Sequence, residues 1–207
     1  ARVIAGMEAD LFLHTGDLVY VKDMDATVFQ PYRDILPNAC FYCARGGHNL
    51  AIVPRDFFVP PMENPEETAT YYSFDWASAH FVILDSDYRF HAETVENSVQ
   101  IQWLRSDLEK AKASAAKWIV LCLHECVFTV GGHSVDDRVT RWLIPPIVDE
   151  FGVDIVLTGH DHNYQRSHPI RMQEDVPSIV DAWQDPEFVS PRGAPYIVTG
   201  GGGGILY

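Results

Sequence analysis

A layered α/β fold built around a mixed sheet is what the sequence predicts. Short apolar, β-branched runs alternate with amphipathic helical patterns, two of the runs are joined by three residues, and polar residues collect where the runs end. The first strand is "DLFLHT" (10–15), followed by a short helix near 26–36 and a second strand, "ACFYCA" (39–44). "TYYSFDW" (70–76) and "HFVILDS" (80–86), separated by "ASA", read as a hairpin, which makes the sheet mixed. From Val95 to Ala116, apolar residues at 99, 103, 104, 108 and 111 keep helical spacing, so one face of that stretch should lie on a sheet.

The fifth strand is "KWIVLCLH" (117–124). A second helix runs from about Asp136, with Val139, Leu143 and Ile147 in line, and stops at Gly152; Pro145 and Pro146 should break or kink it midway. "VDIVLTG" (153–159) and "PYIVTG" (195–200) complete the strands. Loops 46–69 and 168–194 are long and rich in Pro, Glu and Asp, as a rim or lid around a site would be. The closing "TGGGGGILY" reads as a strand running into a flexible or tightly turning glycine segment.

The 207 residues fit one domain spanning 1–207, and no stretch reaches the roughly 20 apolar residues of a membrane helix. With 29 acidic against 15 basic side chains, the formal charge of −14 repels phosphate backbones and excludes nucleic acid as a general partner of the surface. A small phosphorylated substrate stays compatible, since bound cations invert the local potential. Cys40, Cys43, Cys122 and Cys126 read as free thiols; Cys40 and Cys122 lie in apolar runs where Cys acts as a small hydrophobe, and the C-x3-C spacing of the second pair argues against a zinc knuckle. The chain opens at "ARVIAGMEAD" without a starting Met, which reads as an incomplete or processed N-terminus.

The strand ends carry the chemistry. "DLFLHT" runs into "GDLVY", "ACFYCA" into "RGGHN", "WIVLCL" into "HECVF" and "VDIVLT" into "GHDH", so four strands each deliver Asp or His where open α/β sheets place their ligand crevices. Singly, Asp17 reads as a turn residue and His124 as a hydrogen-bonded core histidine. His160 and His162, two apart on an extended chain, point the same way. Together these imidazoles and carboxylates suit Zn, Fe or Mn, and two such metals could clamp a phosphate and lower the pKa of a bound water. Glu125 reads as a solvated turn carboxylate.

In their order, "GDLVY" (16–20), "GGH" (46–48), "VLCLH" (120–124) and "GHDH" (159–162) resemble the motifs of the calcineurin-like metallophosphoesterases, and among them the purple acid phosphatases; "YYSFDWASAHFVILDSD" and "YIVTGGGGG" resemble the family too. The resemblance implies a calcineurin-like four-layer sandwich, two mixed β-sheets flanked by helices, here missing its first strand. It implies two metal ions, Fe with Zn, Mn or Fe, bridged by Asp17, with Tyr20 and His162 on the first metal and His124 and His160 on the second. His48 would protonate the leaving alcohol or hold phosphate and His133 would contact substrate, while Asp161, Asn163, Tyr164 and Arg166 would orient the ligands.

The activity implied is that of a metal-dependent phosphoric ester hydrolase of the acid phosphatase type, in which a metal hydroxide attacks phosphorus in a small phosphoester. A phosphodiesterase or phospholipase would use the same centre, and family habit implies an extracellular or periplasmic location. Two departures stand out. Asp10, the only Asp before Gly16, is not in a D-x-G motif, and Gly47 stands where the family has an amide ligand, so each metal position retains three candidate protein ligands. A degenerate member of the family, acting as a non-catalytic module in binding or assembly, is therefore the alternative. The sequence leaves the oligomeric state open.

Overall fold

A computed structural model describes residues 6–20, 23–49, 58–86, 97–133, 138–180 and 191–206, together with 4, 187 and 189. Part of each predicted long loop (50–57; 181–186, 188 and 190), the start of the first long helix at 95–96 and the side chain of Val139 lie outside the described residues.

All seven predicted strands form: β1 (Leu11–His14), β2 (Cys40–Cys43), β3 (Tyr72–Trp76), β4 (Ala79–Ile83), β5 (Trp118–Cys122), β6 (Ile155–Thr158) and, after three further strands, β10 (Tyr196–Thr199). The additional ones are β7 (Tyr164–Arg166), β8 (Ile170–Gln173) and β9 (Val176–Ile179). Six strands make one mixed sheet in the order β3-β4-β5-β6-β10-β7. Its centre is parallel, from β4 through β10, and each edge is antiparallel: the predicted hairpin β3–β4 on one side, β7 on the other. β1 and β2 form a separate parallel pair with Leu13 opposite Tyr42.

Strand alternation sorts the side chains into layers. Val82, Leu121 and Val156 face one way and pack with Ile101, Leu104 and Leu108 of helix α1 (Val99–Ala113) and Ile144, Ile147 and Val148 of helix α2 (Arg138–Phe151). On the opposite face Ile83, Cys122 and Leu157 pack with Leu13 and Tyr42 of the parallel pair. The far side of that pair, with Phe12, Phe41 and Cys43, rests on Val28, Tyr32 and Ile35 in and after a short helical segment at 25–32. Four layers result, but among the described residues only the six-stranded sheet is mixed, and the second sheet layer is the two-stranded parallel pair β1–β2. α1 starts at Ser98, whose hydroxyl caps the N–H of Ile101.

Four expectations need correction. α2 runs unbroken through Pro145 and Pro146. Each proline costs roughly 3 kcal/mol in a helix interior, but burying Leu143, Ile144, Ile147 and Val148 returns about 1.5–3 kcal/mol apiece, enough to hold the element together. The predicted loop 168–194 contains the hairpin β8–β9, whose half-exposed strands and Pro177 disguise the β pattern. Glu125 is buried rather than solvated, and its N–H is bonded to Ser86 Oγ in the buried segment that follows β4. Cys40 is exposed, at the open start of β2, whereas Cys43, Cys122 and Cys126 are buried; all four are free. No helix among the described residues is long and apolar enough to cross a membrane.

Candidate metal centre

The ends of β1, β5 and β6 meet and are tied together. After β1 the chain turns through Gly16 (φ +100°) and Asp17 (φ +54°), and after β6 through Gly159 and His160 (φ +62°). A left-handed backbone is uncommon for residues other than glycine, although Asp and His adopt it more readily than most. Gly16 passes so close to the His124 ring that a Cβ there would overlap it. His124, just beyond β5, accepts the Gly159 N–H through its carbonyl at 2.9 Å and donates from Nδ1 to the Thr15 carbonyl at 2.8 Å.

These bonds fix what each ring offers. A carbonyl can only accept, so the proton of neutral His124 sits on Nδ1, and the Nε2 lone pair faces Asp17 Oδ2 at 3.3 Å. Two electron-rich atoms face each other there unless a cation or a second proton lies between them. His160 closes the group: one ligand atom from each of Asp17, His124 and His160 lies within 4.8 Å of the others.

A second set repeats the arrangement beside it. His162 donates from Nδ1 to the Ile205 carbonyl at 2.8 Å, leaving Nε2 to accept from the Tyr20 hydroxyl at 2.9 Å. The same hydroxyl lies 3.4 Å from Asp17 Oδ2, the oxygen that also faces His124, while Oδ1 accepts the His48 N–H at 2.9 Å. One carboxylate oxygen thus lies between the two sets. Backbone carbonyls that lock histidine tautomers, with Nε2 turned to the carboxylate in His124 and to the Tyr20 hydroxyl in His162, are the outer supports metal-binding imidazoles use, and the donor set fits a divalent or trivalent cation.

Burial would raise the Asp17 carboxyl, but a second proton on the His124 ring, donated to Oδ2 when no cation lies there, and the His48 N–H outweigh it and hold Asp17 at about 2. Burial, reinforced by His124 and His133, pushes His160 down to about 4. Near neutral pH the site therefore presents an ionised carboxylate and a neutral His160 imidazole, the protonation states that bind metal.

The other predicted residues divide. The exposed His48 ring lies tilted against Tyr20 with centroids 4.4 Å apart, and His133 lies tilted against His160 at 4.0 Å. Asp161, fully buried, accepts from the Thr129 hydroxyl and from the His133 N–H, so it braces the 129–133 turn. Asn163 accepts from Gln165 Nε2, which also donates to Thr129. Tyr164 and Arg166 are exposed on β7 and do not line the cavity.

Three contributors escaped the sequence reading. His14 lines the same cavity of about 500 Å³ as Asp17, His124, His160 and His162; its Nδ1 is buried with no hydrogen-bond partner among the described residues, and burial lowers it to about 4. Its signal was a polar residue in the apolar run "LFLH". Thr129 and Gln165, which brace the turn, had no signal, because their partners are distant in sequence.

A family model described as calcineurin-like phosphoesterase matches residues 2–164. The chain belongs to the calcineurin-like phosphoesterase family. Within it, the chain is 33% identical over 135 residues to purple acid phosphatase 1 of Ipomoea batatas, covering 65% of this chain and 27% of that protein. Among solved structures, a purple acid phosphatase, PPD1, from yellow lupin (Lupinus luteus) seeds matches with a TM-score of 0.73 at 22% identity, over 99% of this chain and 39% of that one. GAP50, described as the anchor in the inner membrane complex of Plasmodium, matches with a TM-score of 0.63 at 14% identity, over 96% of this chain and 64% of that one. At these identities the two structures show the shared fold. The chain spans less than half the length of the curated relatives it matches.

Proposed function

We propose that the protein is a metal-dependent phosphoric ester hydrolase of the acid phosphatase type, working with a dinuclear centre of Fe with Zn, Mn or Fe on a small phosphoester. The observation that carries this is the close approach of His124 Nε2 to Asp17 Oδ2, with His160 completing the triangle. Asp17, His124 and His160 would hold one cation, and Tyr20, His162 and the same carboxylate the other. Bound metals supply Lewis acidity that activates water and neutralises developing charge on a phosphoryl group.

The chain's own residues do the rest. Exposed over Tyr20, His48 gives a proton to the departing alcohol or holds a phosphate oxygen. His133, in ring contact with His160 and fixed through its N–H to Asp161, meets the substrate from the other side. Asp161 and Asn163, joined through Thr129 and Gln165, hold that wall in place. Action outside the cytoplasm belongs to the same proposal. Hydrolysis of an aryl phosphate by the metal-loaded protein, lost in His160→Ala, supports the reading; no turnover with metal bound refutes it.

One observation favours a second reading. Gly47 offers no side chain where an amide ligand is expected, and the same fold occurs in GAP50, which is described as an anchor. A non-catalytic module would bind no metal after dialysis, whereas the enzyme would retain close to two ions per chain.

A further inference from the structure

A buried ion pair adjoins the candidate centre. Arg45 Nη1 donates to Asp85 Oδ2 at 2.9 Å, with the Asp85 side chain fully buried and that of Arg45 17% exposed. Removing a carboxylate from water this completely is unfavourable unless a cation compensates it. Asp85 Oδ1 has no partner among the described residues, so Arg45 provides that compensation. Asp85 is in turn fixed to α1: its N–H donates to Gln100 Oε1 at 2.8 Å, and Gln100 Nε2 donates to its carbonyl at 3.0 Å.

Arg45 opens the turn that reaches the centre. Before it, the Ala44 N–H donates to the His14 carbonyl at 2.8 Å. After it, Gly46 lies against Asp17 so tightly that a Cβ would overlap the carboxylate, and His48 delivers its N–H to Asp17 Oδ1. The turn is thus tied to β1 at one end and to Asp17 at the other, and the Arg45 side chain ties it to the large sheet and α1.

We propose that Arg45 is a positioning residue for the centre: its pairing with Asp85 sets the turn so that the His48 N–H meets Asp17 Oδ1 and the His48 ring stays over Tyr20. The catalytic meaning of that placement rests on the phosphoesterase reading; the placement itself does not. Arg45 acts through His48 and Asp17 without touching substrate.

The test compares Arg45→Lys, Arg45→Gln and the double variant Arg45→Met/Asp85→Leu with the full wild-type chain. The double variant removes both charges together, so no carboxylate is left buried and unpaired if the single variants fold poorly. The first readout, on metal-free protein, is hydrogen exchange at the His48 amide relative to the amides of α1. The expected result is at least tenfold faster exchange at His48 in Arg45→Gln and in the double variant, unchanged α1, and partial recovery in Arg45→Lys. The second readout, on metal-loaded protein, is hydrolysis of p-nitrophenyl phosphate, where kcat should fall about tenfold and KM stay unchanged. A double variant whose His48 amide is protected as in the wild type overturns the proposal. A wild type that turns over nothing overturns the enzymatic reading alone, since the exchange comparison still decides the role of Arg45.

Discussion

Gly16→Ala and Gly152→Ala make the same chemical change at two positive-φ glycines with different surroundings. At Gly152 (φ +71°) an added Cβ meets nothing within 4 Å, while at Gly16 (φ +100°) it runs into the His124 ring. Placing an L-residue in the left-handed region costs roughly 1–2 kcal/mol, and that is the whole expected effect at Gly152. At Gly16, overpacking against a buried ring adds about 1–3 kcal/mol, for a total of about 2–5 kcal/mol. Moving the ring also breaks its bond to the Thr15 carbonyl, which fixes the Nε2 lone pair on Asp17. Urea unfolding gives the stabilities, and calorimetric titration with Zn or Mn gives the affinities. Gly16→Ala should be the less stable variant by about 1–3 kcal/mol and should bind metal at least tenfold more weakly, while Gly152→Ala binds as the wild type does. Equal losses of stability with metal binding intact in both would refute the claim that Gly16 exists to admit His124.

Further outcomes follow from the same structure. Burial pushes the Cys43 and Cys122 thiols up to about 12, and Cys126 is buried with its thiol on the Gly159 carbonyl, so iodoacetamide should label only Cys40 in the native chain and all four in denaturant, as read by peptide mass spectrometry. His80 donates toward Asp75 at 2.8 Å and Asp107 at 3.0 Å; burial opposes the charged ring, but these carboxylates outweigh it and raise its pKa. Its contribution is therefore fully present below the unfolded value near 6.5 and is lost as pH rises through the folded value, so urea midpoints at pH 6 and 9 should differ more in the wild type than in His80→Gln. Leu104→Ala, at a fully buried position between α1 and the sheet, should destabilise by about 2–5 kcal/mol without altering metal affinity.

The sequence made visible those features whose cause is local. Alternation and turn residues located β1 through β6 and β10, because burial of one side imprints a pattern on the chain itself; the period of α1 named Leu104, Leu108 and Ala111 of its buried face, but it also took in the exposed Val99 and passed over the buried Gln100 and Ile101. β7, β8 and β9 left little pattern, since short edge strands with half-exposed faces need few apolar residues. The persistence of α2 through two prolines was illegible for the opposite reason: what holds it is the packing of Ile144 and Ile147 against distant strands. At the centre, Asp17, His124, His160 and His162 announced themselves as polar residues at apolar strand ends. The carbonyls of Thr15 and Ile205, which decide where each imidazole carries its proton, could not be foreseen, as every residue offers a carbonyl and only the fold says which one points at a ring. Arg45 and Asp85 lay far apart in sequence, and neither looked buried until the two met.

The claim that Asp17, Tyr20, His124, His160 and His162 form a metal centre is tested most directly by metal analysis of the purified chain and of His160→Ala, each loaded with Fe and Zn and then dialysed. Close to two ions retained per wild-type chain, with a clear loss in His160→Ala, is the predicted result. Equal retention by both proteins, or none by the wild type, would contradict it.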